Sequence, residues 1–244
     1  MRPLQFIADD FGLSSEVNAA ILRAHREGAL TGASLMAGQP GTTEALDLAR
    51  ATPSLEVGWH LHLCDSRPLT LPEWPWGDSP ALAGLSLGTS RFPRAELRRE
   101  LAAQWEVFRE SGQRCAFINS HHHLHLHPLV LGVVCEVVNR DFDGWLRGPD
   151  YRLFRPTNWT ARLTRLAGRL LAGTLRDRWP VARSAEVWGV DRLHSMDAAE
   201  IANTVISPGA GPREFIFHPR AMAGDADLTC LLQLRGSFPP ARNG

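Results

Sequence analysis

The chain has 244 residues, 44% hydrophobic and 21% charged, with a formal net charge of +0. That is material for one large α/β domain or two small ones, and it carries no electrostatic footprint for nucleic acid. All 26 basic residues are arginine, which excludes both a Schiff-base lysine and the phosphate-cradling lysine of a P-loop.

In chain order, Leu4 to Ala8 reads as a buried strand whose carboxyl end presents Asp9 and Asp10, with Phe11 and Gly12 beyond. Ser14 or Ser15 can cap the next helix, where Val17, Ala20, Ile21 and Ala24 recur at helical spacing until Gly28. Ala33 to Ala37 and Thr43 to Arg50 repeat the strand and helix unit. In a third strand, Glu56 to Leu63, alternation places Gly58, His60 and His62 on one face. Periodicity is lost from Cys64 to Pro93, where proline, tryptophan and glycine accumulate. The spacing predicts a lid, a recognition loop or a tolerated surface insertion there, in which Trp74 and Trp76 either stack on a sugar or pack against the barrel.

Arg94 to Ser111 returns to helical spacing through Leu97, Leu101, Trp105 and Phe108. Then comes NSHHHLHLHP, Asn119 to Pro128, which contains His121, His122, His123, His125 and His127, half of the 10 histidines. If the strand from Cys115 to Ile118 continues, Asn119, His121, His123 and His125 share a face, and such a wall of imidazoles suits a divalent metal. A solvated histidine-rich turn is the alternative. Leu129 to Asn139 reads as a helix and Gly144 to Arg147 as a fifth strand. A second irregular insertion follows near 148–160, then an arginine-bearing helix from Ala161 to Arg178 with a solvated charged face. Ala185 to Val190 is a sixth strand, Ala198 to Val205 a helix, and Phe215 to Phe217 a seventh strand that delivers His218.

Strands alternating with helices imply parallel pairing, and about seven such units favour a closed or nearly closed barrel. A doubly wound open sheet is the second choice, and no GxGxxG follows the first strand. Asp9, Asp10, His60, His62, His121, His123 and His218 all fall at the carboxyl ends of the expected strands. Asp9 and Asp10 could instead cap the first helix. The cysteines Cys64, Cys115, Cys135 and Cys230 are scattered without a CxxC pair, and no leader is visible, so a reducing cytoplasm is expected. The longest apolar run, Pro128 to Val138, is broken by Glu136 and is too short to span a bilayer.

Taken together, ADDFGLSSEVNAAI, SLMAGQP, VGWHLHL followed by SRPL, SHHHLHLHP and EFIFHP resemble the YdjC family of carbohydrate deacetylases. FRESG before INSHHHLHLHP is similar to the hopanoid-biosynthesis-associated branch of that family. The resemblance implies an α/β fold, a distorted TIM-like (β/α) barrel, in a single domain over 1–244. It also implies one divalent metal ion, Zn or Mg foremost with Mn, Co and Fe compatible, held by Asp10, His60 and His121. Asp9 would be the general base and His218 the acid. Asn119 stands where many relatives carry aspartate, and the chain ends soon after His218.

Arg147 and His125 are expected to bind substrate, although an arginine at a strand end is as often a salt-bridge partner and His125 could instead be structural. The expected activity is removal of acetyl from an N-acetylated sugar, either an N-acetylglucosamine-type glycolipid such as a hopanoid or a chitooligosaccharide. A metal-dependent phosphoesterase and a non-catalytic metal-binding protein are the competing readings, and a homodimer stays open.

Overall fold

In the computed structural model, which describes residues 4–89, 91–138, 142–155, 159, 162, 163, 165, 166, 170, 183, 184, 186–209 and 211–236, the expected units are recognisable. They are β1 (Leu4–Phe11), α1 (Ser15–Arg26), β2 (Gly32–Leu35), α2 (Thr42–Ala51), β3 (Glu56–Leu61), α3 (Pro80–Gly88), α4 (Arg94–Arg109) and β4 (Phe117–Ser120). A 3-10 segment (His121–Leu126) leads into α5 (Pro128–Val138), β5 (Trp145–Leu146), β6 (Tyr151–Arg152), β7 (Glu186–Trp188), α6 (Ala198–Ile206), β8 (Arg213–Phe217) and α7 (Ala226–Leu234).

The strands form one 8-stranded sheet in the order β5-β4-β3-β2-β1-β8-β7-β6. Among the described residues every pairing is parallel, and an isolated parallel bridge joins Leu146 to Arg183. The architecture is an α/β half-barrel of TIM-like type, with eight strands where about seven were expected. The added strand, β6, has 2 residues and lies within the segment expected to be irregular near 148–160. Two residues are too few to carry any periodicity.

Alternation along β1 divides the core. Phe6 and Ala8 pack outward in the large cluster, while Ile7 packs inside the barrel with Phe117 and Trp145. Gly58 makes that interior possible: a Cβ there would lie 2.4 Å from the Phe117 ring. On the outer layer, Ser14 caps α1 by accepting from the Val17 N–H at 3.3 Å, and Val17, Ala20, Ile21 and Ala24 are all buried. In α4 the buried face includes Leu97, Leu101, Trp105 and Phe108. Each large apolar side chain so buried contributes about 1.5–3 kcal/mol.

Three expectations are corrected. First, the 64–93 insertion is not structureless: it contains α3, capped by Ser79, and its Trp74 and Trp76 are buried. Their indole N–H groups donate to the carbonyls of Ser66 at 2.7 Å and Leu63 at 2.5 Å, so both rings pack inward. Second, β3 ends at Leu61, before His62. Third, β4 stops at Ser120, so the following histidines do not alternate. The Ser120 hydroxyl accepts from the His125 N–H at 2.8 Å and lies 2.7 Å from His125 Nδ1, a side-chain bond that folds the chain into the 3-10 turn. Of the helix expected over 161–178, most lies outside the described residues. Among the described residues no helix is long and apolar enough to cross a membrane.

Candidate active site

Two neighbouring residues on a regular strand point to opposite faces, so Asp9 and Asp10 could not share a site on an undistorted β1. The distortion lies at Asp10 itself, which has φ +66°, and the register of β1 against β2 slips between Ala8 and Phe11. Gly12 continues the turn at φ +95°, where a Cβ would come 2.9 Å from the Met36 carbonyl oxygen. Both acids therefore reach the mouth of the barrel.

Asp10 meets two imidazoles there. Its Oδ1 lies 3.3 Å from His60 Nε2 and 3.1 Å from His121 Nδ1, and one ligand atom from each of the three residues falls within 4.8 Å of the others. Asp10 Oδ1 and His60 Nε2 are buried without a hydrogen-bond partner. His60 Nδ1 lies 2.7 Å from Asn119 Oδ1, and an N–H on that nitrogen leaves the Nε2 lone pair facing Asp10. Two acceptors aimed at each other in a buried site call for a cation between them. One carboxylate and two imidazoles suit a divalent ion, and three protein ligands leave positions open for water and substrate. Charge agrees: Asp9 and Asp10 are both held ionised against the one guanidinium of Arg147, while burial pushes the Glu214 carboxyl up. Burial works against ionisation of Asp10, but the His121 and His60 imidazoles beside it hold the carboxyl well below the usual range.

Asp9 sits beneath this group in a network from several strands. Its Oδ1 accepts from Ser34 Oγ at 2.8 Å, Asn119 Nδ2 at 2.9 Å and Arg147 Nη2 at 2.8 Å, whereas Oδ2 accepts from Arg147 Nη1 at 2.6 Å. Burial alone would raise the Asp9 pKa, but the Arg147 guanidinium, with His60, outweighs it and keeps the carboxyl ionised. Arg147 also donates from Nε to Glu214 Oε1 at 2.7 Å. With 0% exposure and its guanidinium spent on two carboxylates, Arg147 does not reach substrate as expected from the sequence. His125 is corrected likewise: it is fully buried, with Nδ1 against Ser120 Oγ and Nε2 3.2 Å from the Arg147 carbonyl.

His218 borders the same space from the end of β8, and its N–H donates to Asp227 Oδ2 at 2.7 Å. Burial pushes its pKa below the ordinary imidazole value, with Asp10 and Asp9 pulling the other way. His62 is turned aside, with Nε2 2.8 Å from the Ala37 carbonyl and Nδ1 2.9 Å from Ser66 Oγ. His123 packs its ring 4.8 Å from that of Tyr151, and His127 Nδ1 accepts from the Leu129 N–H at 3.2 Å.

Over these groups opens a cavity of about 930 Å³, with an apolar wall that includes Leu13, Leu126, Leu163 and Leu193. The non-glycine residues with positive φ among the described residues are Asp10, Asp65, His122, His123 and His194, and all of them line it. Such backbone costs on the order of 1–3 kcal/mol per residue and gathers at functional sites. Asp65 escapes the sequence reading and the role of His194 is undecidable in it, because a lone acid in CDSRPL and a lone histidine after DRL carry no periodic or spacing signal.

The family model for YdjC-like proteins matches residues 3–231. Among curated proteins, the chain is similar to the carbohydrate deacetylase of Brevibacillus brevis, 40% identical over 132 residues, or 53% of each chain. It is also similar to those of Geobacillus stearothermophilus, 39% identical over 143 residues (54% of each), and Vibrio campbellii, 35% over 137 residues (55% of each). The chain thus spans about half the length of the curated relatives it matches. A crystal structure from Enterococcus faecalis V583, described as that of a candidate cellobiose-phosphate cleavage protein, superposes with a TM-score of 0.65 at 20% identity, covering 94% of this chain and 90% of that one. That likeness bears on the fold alone. With the family match running from β1 into α7, the chain belongs to the YdjC-like protein family.

Proposed function

We propose that the protein is a metal-dependent carbohydrate deacetylase, one catalytic domain that removes acetyl from an N-acetylated sugar in the cytoplasm. The observation that carries this reading is the meeting of Asp10, His60 and His121 at 3.1–3.3 Å from the ends of three strands, directly above an ionised Asp9. The names of the curated relatives give the substrate class.

Hydrolysis of an acetamide needs an activated water and stabilisation of a tetrahedral oxyanion. A divalent ion held by Asp10, His60 and His121 would polarise the carbonyl and lower the pKa of water from about 15.7 toward about 7. Asp9 supplies the base. Its Oδ2 carries one bond where Oδ1 carries three, so Oδ2 retains a lone pair for the proton. Arg147 and Asn119 hold that carboxylate in place. His218, held at its backbone N–H by Asp227, is the imidazole that returns a proton to the departing amine.

Within this class the apolar wall of the cavity favours an N-acetylglucosaminyl lipid of the hopanoid type over a soluble chitooligosaccharide. Acetate release from both substrates and from simple N-acetylglucosamine conjugates, measured beside turnover of generic phosphoesters, tests the proposal. Activity on phosphoesters alone would replace the reaction, and exclusive activity on chitobiose would remove the lipid.

A further inference from the structure

Asp65 has no part in the chemistry above, yet it stands where a metal-bound imidazole needs a partner. It lies at the head of the 64–93 insertion, lines the cavity and holds φ +48°. Its Oδ2 is 3.3 Å from His122 Nε2 and 3.6 Å from His121 Nε2. His121 presents its other nitrogen, Nδ1, to Asp10 at 3.1 Å.

The second imidazole of the group is arranged the same way: His60 turns Nε2 to Asp10 and Nδ1 to Asn119. An imidazole that ligates a metal through one nitrogen generally donates its other N–H to a carboxylate, carbonyl or water, which fixes the tautomer and the ring orientation. Asn119 fills that place for His60. For His121, the carboxylate beside the outer nitrogen is Asp65, at 3.6 Å. The Asp65 side chain is 56% exposed, so closing 3.6 Å to bonding distance takes a small side-chain rotation, about half an ångström of travel.

We propose that Asp65 is the positioning residue for His121, accepting from its Nε2–H, and that through His122 it also ties the insertion to the histidine turn. It thereby sets the affinity of the site for a divalent cation. The inference rests on the metal site proposed above. One competing geometry is built into the same residues, because Asp65, His121 and His122 also bring ligand atoms within 4.8 Å of one another and could hold an ion of their own. In that arrangement Asp65 is a ligand, and His121 Nε2 has no proton to donate.

Zinc titration of the chelator-stripped protein, read by competition with a zinc-binding dye, separates these cases without any substrate. Asp65→Gly removes the acceptor itself and tolerates the left-handed backbone, and circular dichroism checks that it folds. The expected result is about one zinc per chain in both proteins, with affinity weakened about 10–100-fold in the variant. The visible spectrum of the cobalt-loaded variant should shift as well, which loss of a merely structural contact would not produce. Unchanged affinity together with an unchanged cobalt spectrum would overturn the assignment. Two zinc ions in the wild type falling to one in Asp65→Gly would overturn it in favour of a second ion. If the wild type binds no zinc or cobalt, the metal site itself fails.

Discussion

The cavities at the two ends of the barrel are made by the same eight parallel strands, yet they treat charge in opposite ways. At the carboxyl end, Arg147 is 0% exposed and shared between Asp9 and Glu214, and the residues with left-handed backbone crowd the cavity above. At the amino end, a smaller cavity of about 530 Å³ is lined by Gln5, Glu56, Gln113, Arg114, Asp143 and Trp145. Its ion pair, Arg114 to Asp143 at 2.6 Å, stands with side chains 72% and 67% exposed. An exposed pair is screened by water and salt and contributes about 0–1 kcal/mol, whereas a buried charge left alone is costly. The difference teaches that barrel position alone does not make a site. Chemistry collects where buried carboxylates are held ionised by a few fixed donors.

The contrast is broken most severely at Arg147. Arg147→Met leaves Asp9 and Glu214 as buried acids without their cation, and a loss of about 3–5 kcal/mol is expected in urea denaturation. Wild-type stability in this variant would mean that the carboxylates do not depend on the guanidinium. Asp9→Asn sharpens the contrast differently, by keeping size while removing basicity. Deacetylation should fall about a hundredfold or more while bound metal, counted by elemental analysis, stays at the wild-type level. Loss of metal from this variant would assign Asp9 to coordination.

A third test uses pH. Burial lowers the His121 pKa, but the Asp10 carboxylate beside it outweighs that effect and raises it above the ordinary imidazole value. A proton on His121 competes with the metal, so zinc affinity should be full above the raised pKa and weaken as pH falls through it. Affinity independent of pH from neutral to mildly acid conditions would remove His121 from the ligand set. The smallest effect belongs to the other end of the barrel. Arg114→Gln should change stability by less than about 1 kcal/mol and leave acetate release at the wild-type rate.

How much of this is legible in the sequence follows from how far each interaction reaches along the chain. Strands with apolar runs, such as Leu4 to Ala8 and Phe215 to Phe217, announce themselves and place Asp10, His60 and His218 at one rim. The turn of His121–Leu126 does not, because its cause is one hydroxyl, Ser120 Oγ, which satisfies the His125 N–H and stops the alternation. The links from Arg147 to Glu214 and to Asp9 join residues 67 and 138 positions apart, so nothing local marks Arg147 as a clamp and not a substrate contact. Trp74 and Trp76 are ambiguous in sequence for a similar reason, since an indole that donates to a nearby carbonyl looks the same as one held open for a sugar.

The most direct measurement is the position of the ion, read from anomalous scattering at the zinc edge in crystals of the zinc-loaded protein. The account predicts one strong peak bounded by Asp10 Oδ1, His60 Nε2 and His121 Nδ1, the atoms that stand 3.1–3.3 Å apart around Asp10. A peak on Asp65 and His122 away from His60, or no peak near Asp10 at saturating zinc, would contradict it.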